Sequence, residues 1–209
     1  MATKIYECLE KIGGDIIENK DFLTDLDREI GDADHGVNMA RGFTEVLAQV
    51  PQDEEDISKV LKKVGMVLLS KVGGASGPLY GTAYMKAAGA VPGKTAITLE
   101  DGKEMLVAVI GGIKMRGKAE RGEKTMLDAL EPALEALEKG IANGDDIETC
   151  LNAMCDAAKE GVEFTKTIRA TKGRASYLGD RSIGHQDPGA TSSLITLEAI
   201  RAFYQENFK

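Results

Sequence analysis

The chain has 209 residues, 43% of them hydrophobic and 29% charged, with a net charge of −8. That is long enough to bury a core without staples and too hydrophobic for wholesale disorder, so a single domain over residues 1–209 is expected. The acidic balance argues against nucleic acid and against an anionic membrane surface as partners, because phosphate polymers need a basic face.

There is no Trp and aromatics are 5%, so the core must be aliphatic, which favours packed helices. Cys8, Cys150 and Cys155 form no CxxC pattern and read as buried thiols in a reducing compartment. Charges begin at Lys4 and no apolar run approaches a membrane span, so a cytoplasmic location is expected.

In chain order, Ile5, Leu9, Ile12 and Ile16 recur at helical spacing. The segment LTDLDREIGDADHGVNMARG (23–42) follows, and then a stripe of Met39, Phe43, Val46, Leu47 and Val50 before Pro51. Ile57 to Val72 forms the next stripe and stops at Gly73-Gly74. Pro78 marks the start of a fourth helix, which ends near Pro92-Gly93. Thr98 with Asp101 predicts a capping box opening a fifth, through Ile113. Further helices are expected over 126–142, 146–169 and 190–206. No stretch alternates as a strand does. The spacing therefore predicts an all-α fold of about eight helices, with four polar, Gly-rich connections at 27–38, 73–78, 114–125 and 171–189.

Asp27, Asp32 and Asp34 lie within eight residues. Crowded carboxylates repel unless a cation sits between them, and oxygen ligands without thiolates suit Mg²⁺, Ca²⁺ or Mn²⁺. An EF-hand fails, because the sixth and twelfth loop positions counted from Asp32 are Val37 and Phe43. The plain alternative is a solvated acidic turn capping a helix. At 70–81, SKVGGASGPLYG offers glycines and a helix start to an anion, although by itself a helix stop and turn is the plainer reading. At 111–125, Gly112, Gly117 and Lys118 approximate a phosphate loop, but Ala119 stands where Ser or Thr must bind Mg²⁺ and no strand precedes it. The cations Lys114, Arg116, Lys118, Arg121 and Lys124 remain as candidate phosphate contacts, with a solvated loop the plainer reading. The segment 171–193 carries Lys172, Arg174, Arg181, His185 and Asp187, and Asp187-Pro188-Gly189 turns into the last helix. A loop of this length in a compact domain is functional or disordered. No nucleophile elbow accompanies the two histidines. The residues alone thus support a carboxylate metal site beside Gly-rich, basic loops suited to a phosphate ligand.

Taken together, LTDLDREIGDADHG, GGASGPLYG, KTMLDAL and GRASYLGDRSIGHQDPGATS closely resemble the nucleotide-binding L-subunit family of dihydroxyacetone kinases, in order and over nearly the whole chain. The resemblance implies eight antiparallel helices forming a barrel, with the nucleotide on the loops at one end. It implies that Asp27, Asp32 and Asp34 hold two Mg²⁺ ions that bridge the phosphates. It places His35, Asn38, Ala75, Ser76, Gly117, Thr125, Met126, Arg174, Asp187, Pro188 and Gly189 around ADP or ATP. It further implies a K subunit that binds the hydroxyketone covalently and a phosphohistidine M subunit that recharges a tightly held ADP. No base within this chain is then needed, because phosphoryl transfer rests on positioning and charge neutralisation. Rival readings are a subunit of an ATP-dependent hydroxyketone kinase that exchanges free nucleotide, a nucleotide-state module signalling to a transcription regulator, and a metal-dependent hydrolase. A homodimer is left open.

Overall fold

The computed structural model describes residues 2–208, which contain helices and no strand. The α-helices are α1 (Lys4–Glu18), α2 (Lys20–Ile30), α3 (His35–Gln49), α4 (Ile57–Lys71), α5 (Ser76–Ala90), α6 (Leu99–Gly117), α7 (Leu127–Asn143), α8 (Ile147–Thr165) and α9 (Pro188–Asn207). A 3₁₀ segment, Arg174–Ser182, precedes α9 and is kinked at Gly179. The expected stripes bury Leu9, Ile12 and Ile16 of α1, Met39, Phe43 and Val46 of α3, and Val60, Val64 and Leu68 of α4 into one aliphatic core. Cys150 and Cys155 are buried in that core and Cys8 packs against it; all three are free thiols.

Eight of these helices close a ring. α1 packs on α3, each of α3 to α8 packs on the next in sequence, and α9 packs on both α8 and α1. Neighbours run antiparallel. Asn38 early in α3 lies against Gly73 just past the end of α4, and Ser58 early in α4 donates to Ala88 late in α5. Lys4 of α1 reaches Asn207 of α9 to complete the circle. Close approach needs small residues: a Cβ on Gly161 of α8 would lie 1.9 Å from the Asp128 carbonyl oxygen of α7. The expected barrel is thus present.

The ninth helix, α2, stands outside the ring, against α3, α9 and the 3₁₀ segment. It corrects the expectation of a connecting loop beginning at residue 27, since Asp27 is helical. The connection expected at 114–125 is shorter too, because α6 runs to Gly117 and ends at a left-handed Lys118. Helix α5 begins two residues before Pro78, which remains within the first turn. The capping box of Thr98 and Asp101 forms as expected. Among the described residues, no helix is long and apolar enough to cross a membrane.

Candidate functional site

The antiparallel ring sends the N-termini of α3, α5, α7 and α9 to one end. His35, first in α3, has Nδ1 2.9 Å from Ser76 Oγ, first in α5, and Nε2 2.8 Å from Ser192 Oγ in α9. Gly189 of α9 lies beside the Met126 backbone, immediately before α7. At the far end, α4, α6 and α8 are closed by the side chains of Asp56, Thr98 and Asp146. At this end Asp187 caps α9 and Asp27 takes the first N–H of α3, while α5 starts without a side-chain cap. The first-turn N–H groups of a helix have no intrahelical partner and carry its positive dipole end, so the open start of α5 beside the start of α3 favours an anion.

The acidic cluster stands at the same end. Asp27, Asp32 and Asp34 each present an oxygen within 4.8 Å of the others. Asp27 is buried in α2, and its Oδ2 accepts the backbone N–H groups of Asp34 (2.8 Å) and His35 (3.2 Å). A Cβ on Gly31 would lie 2.0 Å from Asp27 Oδ1, so only glycine leaves that oxygen room. Ala33 adopts a left-handed φ of 59° between Asp32 and Asp34; such strain costs about 1 kcal/mol and persists where function fixes the backbone. Burial, then the negative charge of Asp32, pushes the Asp34 carboxyl above its ordinary range, while a hydrogen bond from Asn38 opposes the rise. One cation already faces the cluster: Arg174 Nη2 lies 2.9 Å from Asp32 Oδ2.

Behind this surface runs a buried hydrogen-bond chain. Ser192 donates to a backbone carbonyl of its own helix turn, Pro188 at 3.0 Å. Its oxygen is therefore an acceptor toward Tyr80 (2.7 Å) and His35. That arrangement puts the His35 proton on Nε2 and leaves Nδ1 to accept from Ser76. Burial lowers the His35 pKa to about 4, so the ring is neutral near pH 7. Burial likewise lifts the Tyr80 hydroxyl to about 12, keeping it a donor. On the α9 side, Asp187 caps the helix through Ala190 N at 2.7 Å, and burial raises its pKa to about 7.

The sequence-predicted residues gather at this end. Asn38 is buried in the first turn of α3 and accepts from Arg41. Ala75 and Ser76 open α5. Gly117 ends α6 next to Leu79 of α5. Thr125 donates its N–H to the buried Asp128, and Met126 is buried directly before α7. Asp187, Pro188 and Gly189 form the start of α9. The cations of 114–124 behave otherwise. Lys114 pairs with Glu120 and Glu131, Arg121 pairs with Glu135, and Lys124 points into the protein. Three of the five candidate phosphate contacts are thus engaged elsewhere, which corrects that expectation; Arg116 and Lys118 are exposed. Sequence reasoning missed Tyr80 and Asp128. A Tyr on a helix stripe and an Asp in a first turn look like ordinary core and capping residues.

The DAK2 domain model matches residues 29–202. The chain belongs to the DAK2 domain family. This DAK2 match starts inside α2 and ends in α9, so it spans the ring from α3 onward, without α1, and all of the site except Asp27. The chain is 45% identical over 199 residues to the ADP-binding subunit DhaL of the phosphoenolpyruvate-dependent dihydroxyacetone kinase of Escherichia coli, covering 95% of each. It is 46% identical to the corresponding subunit of kinase 2 of Listeria innocua, covering 92% of this chain and 90% of that one. Among solved structures, the dihydroxyacetone kinase from C. freundii in complex with AMP-PNP and Mg²⁺ superposes with a TM-score of 0.70 at 25% identity. That superposition covers 95% of this DAK2 chain and 33% of the other, so this chain corresponds to about a third of that enzyme.

Proposed function

We propose that this chain is the ADP-binding subunit of a phosphoenolpyruvate-dependent dihydroxyacetone kinase in the cytoplasm. In this reading ADP is a held coenzyme: the chain takes a phosphoryl group from a phosphohistidine M subunit and delivers it to the hydroxyketone bound on a K subunit. The observation that carries the proposal is one juxtaposition. Three converging carboxylates lie beside the adjacent starts of α3 and α5, in a chain related over nearly its full length to ADP-binding subunits.

The donor set fits magnesium. It is all oxygen, burial and then the charge of Asp32 raise the Asp34 pKa, and Asp27 is oriented by two backbone N–H groups while Gly31 keeps its other oxygen clear. Asp27, Asp32 and Asp34 would hold two Mg²⁺ ions, which supply charge neutralisation for the phosphates. The protein's own groups do the positioning. The starts of α3 and α5 offer N–H groups to phosphate oxygens, with His35, Asn38, Ala75 and Ser76 on that face. Arg174 provides an exposed positive charge at the mouth. Gly117, Thr125, Met126 and Asp187 to Gly189 form the opposite wall for the nucleoside. The neutral His35 fixes Ser76 and takes no proton from substrate.

Native mass spectrometry of the protein as purified tests this reading. The expected species carries one ADP and two Mg²⁺. A chain that loses its nucleotide on desalting but turns over free ATP with a K subunit is instead part of an ATP-dependent kinase. A chain that binds nucleotide yet transfers no phosphoryl group with K and M subunits, and captures a transcription regulator, is a signalling module.

A further inference from the structure

Lys124 is 2% exposed, among the largest fully buried side chains of the protein. Its backbone is left-handed, with φ 62°. Among the described residues, the ammonium makes no ion pair within contact distance. It donates instead to backbone carbonyls: Thr165 at 2.6 Å, Ser182 at 2.7 Å, His185, and more weakly Ile168 at 3.4 Å. Those carbonyls belong to three places in the chain: the end of α8 with the turn after it, the end of the 3₁₀ segment, and the turn into α9. Backbone carbonyls around one buried positive charge resemble the coordination of a structural cation, but here the cation is a side chain. The buried carboxyl groups of Asp128 and Asp187 lie nearby, and their ionised forms favour the ammonium against the cost of its burial.

What is joined matters for the site. Lys124 immediately precedes Thr125 and Met126. The 3₁₀ segment it secures at Ser182 begins with Arg174, which faces Asp32. The turn it secures at His185 leads to Asp187, whose N–H is tied to Thr165 Oγ1 at 3.0 Å. Two further bonds close the same knot, Ala170 N to Ser182 Oγ and Gly184 N to the Lys166 carbonyl. Without the ammonium, three carbonyls that converge on one point would repel and lack donors, and the segment 166–187 would have little apolar burial to hold it. We propose that Lys124 is a positioning residue that acts as a built-in cation, clamping the segment 166–187 so that Arg174 and Asp187 stand in register with the carboxylate cluster and the nucleotide. The nucleotide part of this proposal rests on the functional reading above; the clamp itself does not.

The test has a spectroscopic arm and a variant arm. In the wild-type protein without nucleotide, a ¹H–¹⁵N spectrum tuned to ammonium groups is expected to show one lysine Nζ in slow exchange with water, and this signal vanishes in Lys124→Met. Absence of any protected ammonium overturns the clamp, whether or not Lys124→Met folds. In the folded Lys124→Met protein, amide exchange is expected to rise across 166–187 and not in α3 to α5, and the ADP dissociation rate to rise about tenfold or more, the loss of roughly one charged hydrogen bond. Phe203→Leu, at the other end of α9, serves as the control: it lowers the melting temperature and leaves ADP dissociation unchanged. Equal acceleration in both variants would reduce Lys124 to a general stability residue and overturn the proposal. If the wild-type chain holds no ADP, the functional reading fails, and the ammonium signal with the exchange pattern still decides the clamp.

Discussion

Arg174 and Asp32 form an ion pair across the mouth of the carboxylate cluster, Nη2 to Oδ2 at 2.9 Å. The arginine places a positive charge where a metal ion is also wanted. Its side chain is 66% exposed, so the pair is weak and readily exchanged. Two opposite effects are therefore expected of Arg174→Ala. Removing a competing cation raises Mg²⁺ affinity in the absence of nucleotide by about two- to fivefold. Removing a phosphate ligand weakens ADP binding by about tenfold or more. Calorimetric titration of each ligand separates the two. A fall in both affinities would mean that Arg174 assembles the metal site rather than competing for it.

Asp32→Ala or Asp34→Ala is expected to abolish phosphoryl transfer in a system reconstituted with K and M subunits, while far-ultraviolet circular dichroism stays unchanged. Neither residue contributes to the apolar core, and each contributes one of the three oxygens that converge within 4.8 Å. Full activity in Asp34→Ala would sink the metal assignment.

The sequence revealed the ring and most of the site because both obey simple periodicity. Eight aliphatic stripes became eight ring helices, and the acidic and glycine-rich segments lay between them. Helix α2 was hidden for a physical reason. Its buried positions are Leu23, Asp27 and Ile30, so the middle of its apolar stripe is a carboxylate, and the residue that serves the site erased the signal for its own helix. Lys124 was illegible for a related reason. A lysine in a basic, glycine-rich segment reads as a phosphate contact, and only the left-handed backbone together with three distant carbonyls turns it inward. The 3₁₀ segment has no 3.6-residue stripe to detect.

Nucleotide binding should appear as stability. A ligand that binds only the folded state stabilises by mass action, by about 2.7 kcal/mol at a hundredfold excess over its dissociation constant. For a chain of this size that corresponds to a rise in melting temperature of about 5–10 °C. On stripping ADP and Mg²⁺, amide exchange is expected to accelerate in 31–38 and 171–181, while 182–187 remain protected by the Lys124 contacts. Unchanged exchange at 31–38 and 171–181 would remove those segments from the binding site.

Two buried groups impose opposite pH dependences. Asp187 has its pKa raised to about 7, so between pH 4 and 7 the folded state holds a proton that the unfolded state has released, and this stabilisation is lost as pH rises. His35 has its pKa lowered to about 4, so between pH 4 and 6.5 the unfolded state binds the extra proton, and stability is gained as pH rises. In the nucleotide-free protein the two slopes offset. Relative to wild type, Asp187→Asn should therefore gain stability as pH rises from 4.5 to 6.5, by at most about 2–3 kcal/mol. His35→Gln should lose stability over the same interval. Denaturant melts at several pH values measure both, and parallel profiles for the two variants would refute the assignment.

Arg181 tests the partner face. The γ-phosphoryl must reach a substrate on another protein, so the carboxylate end of the ring must dock. Arg181 lies on the exposed side of the 3₁₀ segment that also carries Arg174, and no ion pair engages it among the described residues. Its neighbours Tyr177 and Ile183 expose 86% and 46% of their surface. His185 is close to Glu29, with Nδ1 3.8 Å from Oε2, and so stays nearer the body of the protein. An unpaired cation between exposed apolar groups suits a subunit contact, or the offsetting of charge on the transferring phosphoryl. Arg181→Ala should keep ADP bound and lose about tenfold or more in transfer to the K subunit. Transfer at the wild-type rate would make Arg181 an ordinary solvated side chain. Loss of ADP together with transfer would move it into the nucleotide site.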